Sequence, residues 1–491
     1  MHLAWIHVTA YHSDASNHPP DQAKFHRRVP MKIVRLAGLA LVWVVATTVS
    51  AQSYKVLVNF NLNQGPSLPD EPGIIAQSRG GYLVTTASDD ITGSANGSAF
   101  RVDTSGALKV LHEFDRTDGS LPIGGLTLGR DGEFYGTALF GGSGSLNYGT
   151  IFSMTPDGIV KTLHEFPSAA EGLPQAPPIQ SLYGDFYGTT AGPTGDPGSE
   201  ANQGTIYKIT SDGDFTSLHT FTGPDGANPS APLVQATNFW FYGVAEHGGP
   251  SFVGTIFRVN SSGDFEVLFN FDYSHGGYPV SLIQADDGNF YGMTYLAGAY
   301  NYGVVFKMDP TNKVTVLHSF TGGSDGAGPV GNLIQATDGY LYGTTNSGGE
   351  SGWGVLFRIS TSGDFHVLHT FEKSTGGYPI ALIQHTDGFL YGDTNSFGSA
   401  GGGVFYRYDL GLSPFVTFLD CYGRIGETVQ ILGDGFTSES KAYFNGAQAD
   451  IIEVEPTYMR VLVPEGATSG PITVTTTKGT LKSNKIFVIR P

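Results

Sequence analysis

A single cysteine, Cys421, stands in a chain of 491 residues. No intramolecular disulfide can form, and no CxxC motif or Cys/His cluster offers a zinc or iron–sulfur centre. Charge is also scarce: Asp, Glu, Lys and Arg make up 14 % of the chain, with a formal net charge of −18. No run of Lys or Arg builds a phosphate-binding surface, which argues against nucleic-acid partners. No segment after residue 52 carries helix periodicity over the ~10–12 residues a helix needs, so a helical solenoid is out. HExxH, GxSxG, P-loop and dinucleotide fingerprints are all missing, so no catalytic residue and no metal ligand is assigned.

Glycine, by contrast, is abundant. The chain holds 69, about 14 % against a usual ~7 %, without the one-in-three period of collagen. With a hydrophobic fraction of 40 %, the chain is expected to fold, and its glycines to serve turns and close backbone approach.

Residues 32–52 read KIVRLAGLALVWVVATTVSAQ. Lys32 and Arg35 precede a short apolar stretch, and Val49-Ser50-Ala51 closes it with small residues. This is the pattern of a secretory signal peptide spanning 31–51, cleaved after Ala51, and too short for the ~20 residues of a bilayer anchor. Residues 1–30 are polar, carry five His and end before Met31, and read as a non-native upstream extension. The mature chain is expected to be secreted, periplasmic or cell-surface, with no integral membrane segment and a formal charge of −21.

A block ending in phenylalanine recurs at Phe60, Phe114, Phe166, Phe221, Phe271, Phe320 and Phe371, and more weakly at Phe418, with spacings of 47 to 55 residues. Between these VLHxF markers three further blocks return in fixed order: LIQ (as at Ile283 and Ile334), FYGTT (as at 134–138 and 186–190) and GTIFRI (as at 205–209 and 255–259). Each is rich in Val, Ile, Phe, Tyr and Thr and bounded by Gly, Asp, Ser or Pro, so each reads as a strand. Asp-Gly turns such as Asp338-Gly339 join LIQ to FYGTT, and Gly-Asp turns such as Gly263-Asp264 join GTIFRI to VLHxF. Four antiparallel strands repeated seven times predict an all-β chain, a seven-bladed β-propeller over 54–411. Closure is expected from the N-terminal strand at 54–60 pairing with the strand near 403–409, with FVTF at 415–418 as the alternative.

From residue 412 the spacing changes. Short alternating strands at 428–432, 441–444, 449–453, 458–463, 471–476 and 485–489 predict a small immunoglobulin-like β-sandwich over 412–491. It is expected either to pack against the ring or to stand as a spacer.

The repeat resembles the GloVer-type tandem repeat of exported bacterial proteins. The tail, through GETVQILGDGF (426–436), YFNGAQA (443–449) and VLVPEGATSGPITVTTTKG (461–479), resembles an IPT/TIG domain. The first resemblance implies an exported protein and the second an adhesion or spacer module; neither supplies catalytic residues.

Successive strands reverse, so the short Asp-Gly turns share one face of the ring and the longer, more varied connections share the other. Binding residues belong on varied loops carried by a rigid scaffold. The aromatic members Phe140, Tyr148, Phe252, Tyr300, Trp353 and Phe397 are the candidate ligand-binding residues. The recurring His112, His164, His219, His318 and His369 could form a metal ring only if they converged. Phe269 and Val58 fill the same position in other units, which favours packing. Asp118, Asp225 and Asp325 read as turn formers, with calcium the one ion they suggest and no other cofactor expected. Glu246-His247 and His275 are isolated acid/base candidates. The functional expectation is a monomeric, non-catalytic binding or surface-interaction protein for glycan, peptide or protein. A polysaccharide-active lyase or hydrolase, or a purely structural surface protein, is the alternative.

Overall fold

The computed structural model describes residues 53–61, 69, 73–88, 96–143, 147–193 and 203–490. The leader and the upstream extension expected at 1–51 lie outside them. Among the described residues there is no helix, and seven four-stranded antiparallel sheets follow one another along the chain. In the fourth, the strands Val234–Gln235, Phe241–Ala245, Thr255–Val259 and Phe265–Asn270 run from the ring's axis to its rim. The seventh consists of Gly377–Gln384, Leu390–Ser396 and Gly401–Asp409, completed by Ser53–Asn61, whose Tyr54 lies opposite Tyr408. The N-terminal strand therefore closes the ring, while Thr417–Phe418 pairs with Thr428–Leu432 in the C-terminal domain. Closure removes a sheet edge that would otherwise expose unpaired backbone groups.

The repeated motifs lock each blade to the next. The middle two strands are mostly buried, and fully so in Phe134–Ala138 and Thr150–Met154. The tyrosine of FYG stacks on the first residue of the same block one blade on: Tyr135 on Phe186 at 3.8 Å, Tyr187 on Phe241 at 3.9 Å, Tyr242 on Phe290 at 4.2 Å. Its hydroxyl donates to the aspartate of the preceding turn, as Tyr291 does to Asp287 and Tyr342 to Asp338, both at 2.7 Å. The glycine opening the third strand meets the proline that opens the next blade. At Gly254, with φ +106°, a Cβ would lie 2.5 Å from the Pro279 ring. The same contact recurs at Gly303 with Pro329 and Gly354 with Pro379. Only glycine fits such an approach.

The outer strands carry a bulge at the leucine of VLHxF. Ile256 pairs with Phe269 but Phe257 with Val267, leaving Leu268 as the extra residue. The bulge turns the histidine outward to stack on the first residue of the next outer strand.

The inner strands differ from expectation. In blades five to seven they span eight or nine residues, such as Ala327–Gln335, but in blades three and four only Ile179–Gln180 and Val234–Gln235 pair. Pro177, Pro178 and Pro232 stand just before those pairs, and a proline has no N–H to give to a ladder.

The C-terminal domain is a sandwich of a four-stranded and a five-stranded sheet around Val429, Ile431, Met459, Val461, Ile472 and Phe487. It packs on the short-turn face of the ring. Gln430 accepts a hydrogen bond from the Arg79 guanidinium and donates to the Arg130 carbonyl, each at 2.7 Å. Thr457 donates to the Arg79 carbonyl at 2.6 Å, and Phe415 N–H donates to the Thr386 carbonyl at 2.9 Å. Arg130 also pairs with Asp420, and Arg490 lies over the rings of Phe239 and Tyr422.

Candidate functional site

Repeated polar residues come first, because repetition marks either a shared site or a shared joint. The glutamine of LIQ makes a joint. Its side-chain carbonyl accepts a backbone N–H from the short turn of the preceding blade: Gln180 from Arg130, Gln235 from Leu182, Gln284 from Thr237, Gln335 from Asp286, Gln384 from Thr337 and Gln77 from Thr386. In blade two the position is Leu128, and it is at this joint, between blades one and two, that Gln430 of the C-terminal domain bridges Arg79 and Arg130. Residue periodicity exposed the block but not its partner, which lies about fifty residues away.

The histidines of VLHxF make a second joint, at the rim. His164 stacks on Phe215 at 4.0 Å, His219 on Phe265 at 3.6 Å and His318 on Phe365 at 3.8 Å. His369 stacks on Tyr54 of the closing strand at 3.9 Å. They do not converge, and no group of three His, Cys, Asp or Glu able to hold a metal occurs among the described residues. Three of them find the turn aspartates read separately in the sequence: His112 with Asp118 at 2.6 Å, His219 with Asp225 at 2.9 Å and His318 with Asp325 at 3.1 Å. The constant spacing of six or seven residues was the available signal. Burial pushes the Asp225 carboxyl up, but hydrogen bonds from His219 and Thr222 outweigh it and hold the group below its usual range. Burial lowers the His318 imidazole even against Asp325, and at His369, where no aspartate follows, it takes the imidazole down to about 4.

The long-loop face is less regular. Of the six aromatic candidates, the structure brings together Trp353 and Phe397, their rings 4.5 Å apart and perpendicular. Tyr378 joins them 5.4 Å from Trp353, and Lys373 Nζ lies 4.9 Å over the indole. Phe140 and Tyr148 are half-buried. The backbone of Phe140 bonds to Ser120 in both directions, and the Tyr148 carbonyl accepts Leu173 N–H. Phe252 and Tyr300 are 53 % and 58 % exposed. Around Tyr300 stand residues the sequence reading passed over: Tyr273, Tyr295 and Tyr302, at 56 %, 38 % and 45 % exposed. Three tyrosines in YLAGAYNYG (295–303) were the signal.

The loops also share a form that their sequences hide. Gly248 bridges Val253, Ala297 bridges Tyr302, Gly348 bridges Trp353 and Phe397 bridges Gly402. Each carries a left-handed residue just before the second partner: Phe252 at φ +60°, Asn301 at +66°, Gly352 at +82° and Gly401 at +88°. A phenylalanine in that region is strained, and Phe252 accepts the strain while leaving its ring in solvent.

Two adjacent titratable pairs on this face are Glu246 with His247 and Asp272 with His275. Burial holds the Glu246 carboxyl above its usual range, with His247 at 4.0 Å and a hydrogen bond from Ser230 acting in the opposite sense. His275 is tied to Asp272 at 2.8 Å.

The blade motifs above are matched by the family model described as the Gloeobacter/Verrucomicrobia repeat, at residues 43–196, 144–337 and 297–432. The chain belongs to the Gloeobacter/Verrucomicrobia repeat family. The IPT/TIG domain model matches residues 414–488. No curated protein matches the chain. Among solved structures, a fungal alcohol oxidase of the AA5 family in complex with copper is similar at 12 % identity and a TM-score of 0.50, covering 88 % of this chain and 100 % of the oxidase. A catalytically inactive virginiamycin B lyase from Staphylococcus aureus, solved with quinupristin, is similar at 15 % identity and a TM-score of 0.48, covering 73 % and 99 %. The oxidase likeness shows the fold shared by this member of the repeat family, and nothing of its chemistry. No helix among the described residues is long and apolar enough to cross a membrane.

Proposed function

We propose that this repeat-family protein is an exported binding protein that recognises an extracellular glycan, peptide or protein through the long-loop face of its propeller, without turnover. One observation carries the reading. The C-terminal domain packs on the short-turn face through Gln430, Thr457, Phe415 and Asp420, whereas the long-loop face keeps Phe252, Tyr273 and Tyr300 more than half exposed. The short-turn face also exposes Tyr183 and Phe239, at 69 % and 40 %, but there Arg490 of the docked domain lies 6.0 and 4.7 Å from the two rings; exposed aromatic rings grouped away from the docked domain mark an interaction surface. The leader pattern at 31–51 supports export, and a mature N-terminus at Gln52, read by sequencing the secreted product, is its direct test.

The enzyme alternative draws its support from Glu246 and His247. A carboxyl raised by burial beside an imidazole is an acid/base arrangement. The two readings separate in one experiment: the full exported chain is screened against polysaccharides, oligosaccharides and peptides for both retention and product release. Retention without product, unchanged in Glu246→Gln, is the expected result. Product that disappears in Glu246→Gln gives the protein to the enzyme class.

A further inference from the structure

Within the long-loop face the blade five/six joint departs from the repeat. The residue before the proline that opens each blade is Leu121, Leu173, Asn228, Tyr278 or Tyr378, all left-handed. In blade six it is Gly328. The space a side chain would fill is taken by Tyr295, whose ring lies 2.9 Å from where a Gly328 Cβ would stand. A few residues away Tyr302 covers Gly322 in the same way, at 2.5 Å. Tyr300, between them in sequence, is the most exposed of the three. Two glycines thus floor the rings of Tyr295 and Tyr302, and Tyr300 from the same loop adds a third ring; each is partly open to solvent and carries a hydroxyl at its tip.

Charge on this shelf is confined to aspartates and their histidine partners. The three connections that build it, 271–279, 295–303 and 321–329, contain no Lys or Arg. Asp325 is held by His318 and Thr321, and Asp272 by Ser274 and His275. An anionic polymer would find no Lys or Arg there and would meet the half-exposed carboxylate of Asp272. Apolar rings edged with hydroxyls, with no lysine or arginine in the loops that carry them, match an uncharged ligand with apolar C–H faces and many hydroxyls. We infer that the Tyr295–Tyr300–Tyr302 shelf is a subsite for a neutral oligosaccharide, its pyranose rings lying on the tyrosines. This rests on the long-loop reading above and names its ligand class.

The test is calorimetric titration of the full exported chain with cellohexaose, laminarihexaose, xylohexaose, chitohexaose and, as the charged comparator, hexagalacturonate. At least one neutral hexaose is expected to bind and hexagalacturonate to fail. Tyr300→Ala and Tyr302→Ala should each weaken binding about tenfold or more. Gly328→Asn, which borrows the residue blade four tolerates at Asn228, should do the same by displacing Tyr295. Tyr183→Ala, an exposed tyrosine in a turn of the short-turn face, should leave affinity within about twofold, and thermal unfolding of all variants confirms folding. A neutral hexaose that binds equally to all three shelf variants overturns the subsite. Peptides from a random library that bind instead, and are lost in Tyr300→Ala, overturn the carbohydrate class but keep the long-loop reading. No binding of any neutral hexaose overturns the subsite, and a ligand whose retention is unchanged in both Tyr300→Ala and Phe252→Ala overturns the long-loop reading.

Discussion

The two faces of the ring are built from the same seven repeats and differ in how they use them. On the short-turn face the repeat is filled with joints: six glutamines reach back to the preceding blade, turn aspartates hold tyrosine hydroxyls, and the C-terminal domain packs where blade two carries Leu128 in place of glutamine. On the long-loop face backbone geometry repeats while side chains do not, so Val253, Tyr302, Trp353 and Gly402 occupy equivalent positions. A polar residue that recurs in this fold is therefore a structural joint, and the departures from recurrence are where recognition can be built. The seventh blade adds a departure of another kind, because it is assembled from both ends of the ring.

The largest expected effect lies at that closure. Tyr54 stacks on His369 and donates its hydroxyl to the Thr375 carbonyl at 2.7 Å. Tyr54 is partly buried, so Tyr54→Ala should cost about 2–4 kcal/mol in denaturant unfolding, under the ~3–5 kcal/mol of a fully buried aromatic. A loss below about 1 kcal/mol would break the claim that the N-terminal strand seals the ring.

Next comes Asp393, which replaces the threonine or apolar residue of other blades. It is fully buried, one oxygen accepts Ala381 N–H at 3.1 Å, and the other has no partner. Burial raises its carboxyl to about 7. The folded state then holds a proton that the unfolded chain releases near the ordinary aspartate value of ~4, so stability falls as pH rises from about 4 to 7 and is level above. Asp393→Thr should raise stability at pH 8 by a few kcal/mol and much less at pH 4. An equal effect at both pH values would contradict this account.

A smaller effect belongs to the docked domain. Gln430→Ala removes hydrogen bonds to both Arg79 and Arg130 and should lower stability by about 1–2 kcal/mol, with faster amide exchange in the turns at 79–81 and 130–132. The smallest is at the rim. His318→Phe copies the residue of blade four, keeps the stack on Phe365, and should change stability by less than about 1 kcal/mol; a large loss would make the His–Asp pair more than a joint.

Much of this architecture was legible from residues alone. Seven units, the tight Asp-Gly turns and closure by 54–60 follow from strands of regular spacing, because period and turn chemistry are local properties. The inner strands pair over only two residues in blades one, three and four, and in the last two Pro177, Pro178 and Pro232 remove ladder donors. The histidines were legible as packing residues, but the rings they stack on, and the turns the glutamines reach, were not, because each of those partners sits about a full repeat away. On the long-loop face Trp353 and Phe397 meet, while Phe140 and Tyr148 pack locally. The shelf around Tyr300 emerged only when Gly328 could be compared with the side chains at its equivalents.

Hydrogen–deuterium exchange of the full exported chain, with and without the tightest-binding neutral hexaose, tests the central claim most directly. Protection is expected in 295–303 and 321–329, with the turns at 79–81, 130–132 and 385–388 unchanged. Protection confined to those short turns, or none on the long loops, would contradict recognition through the long-loop face.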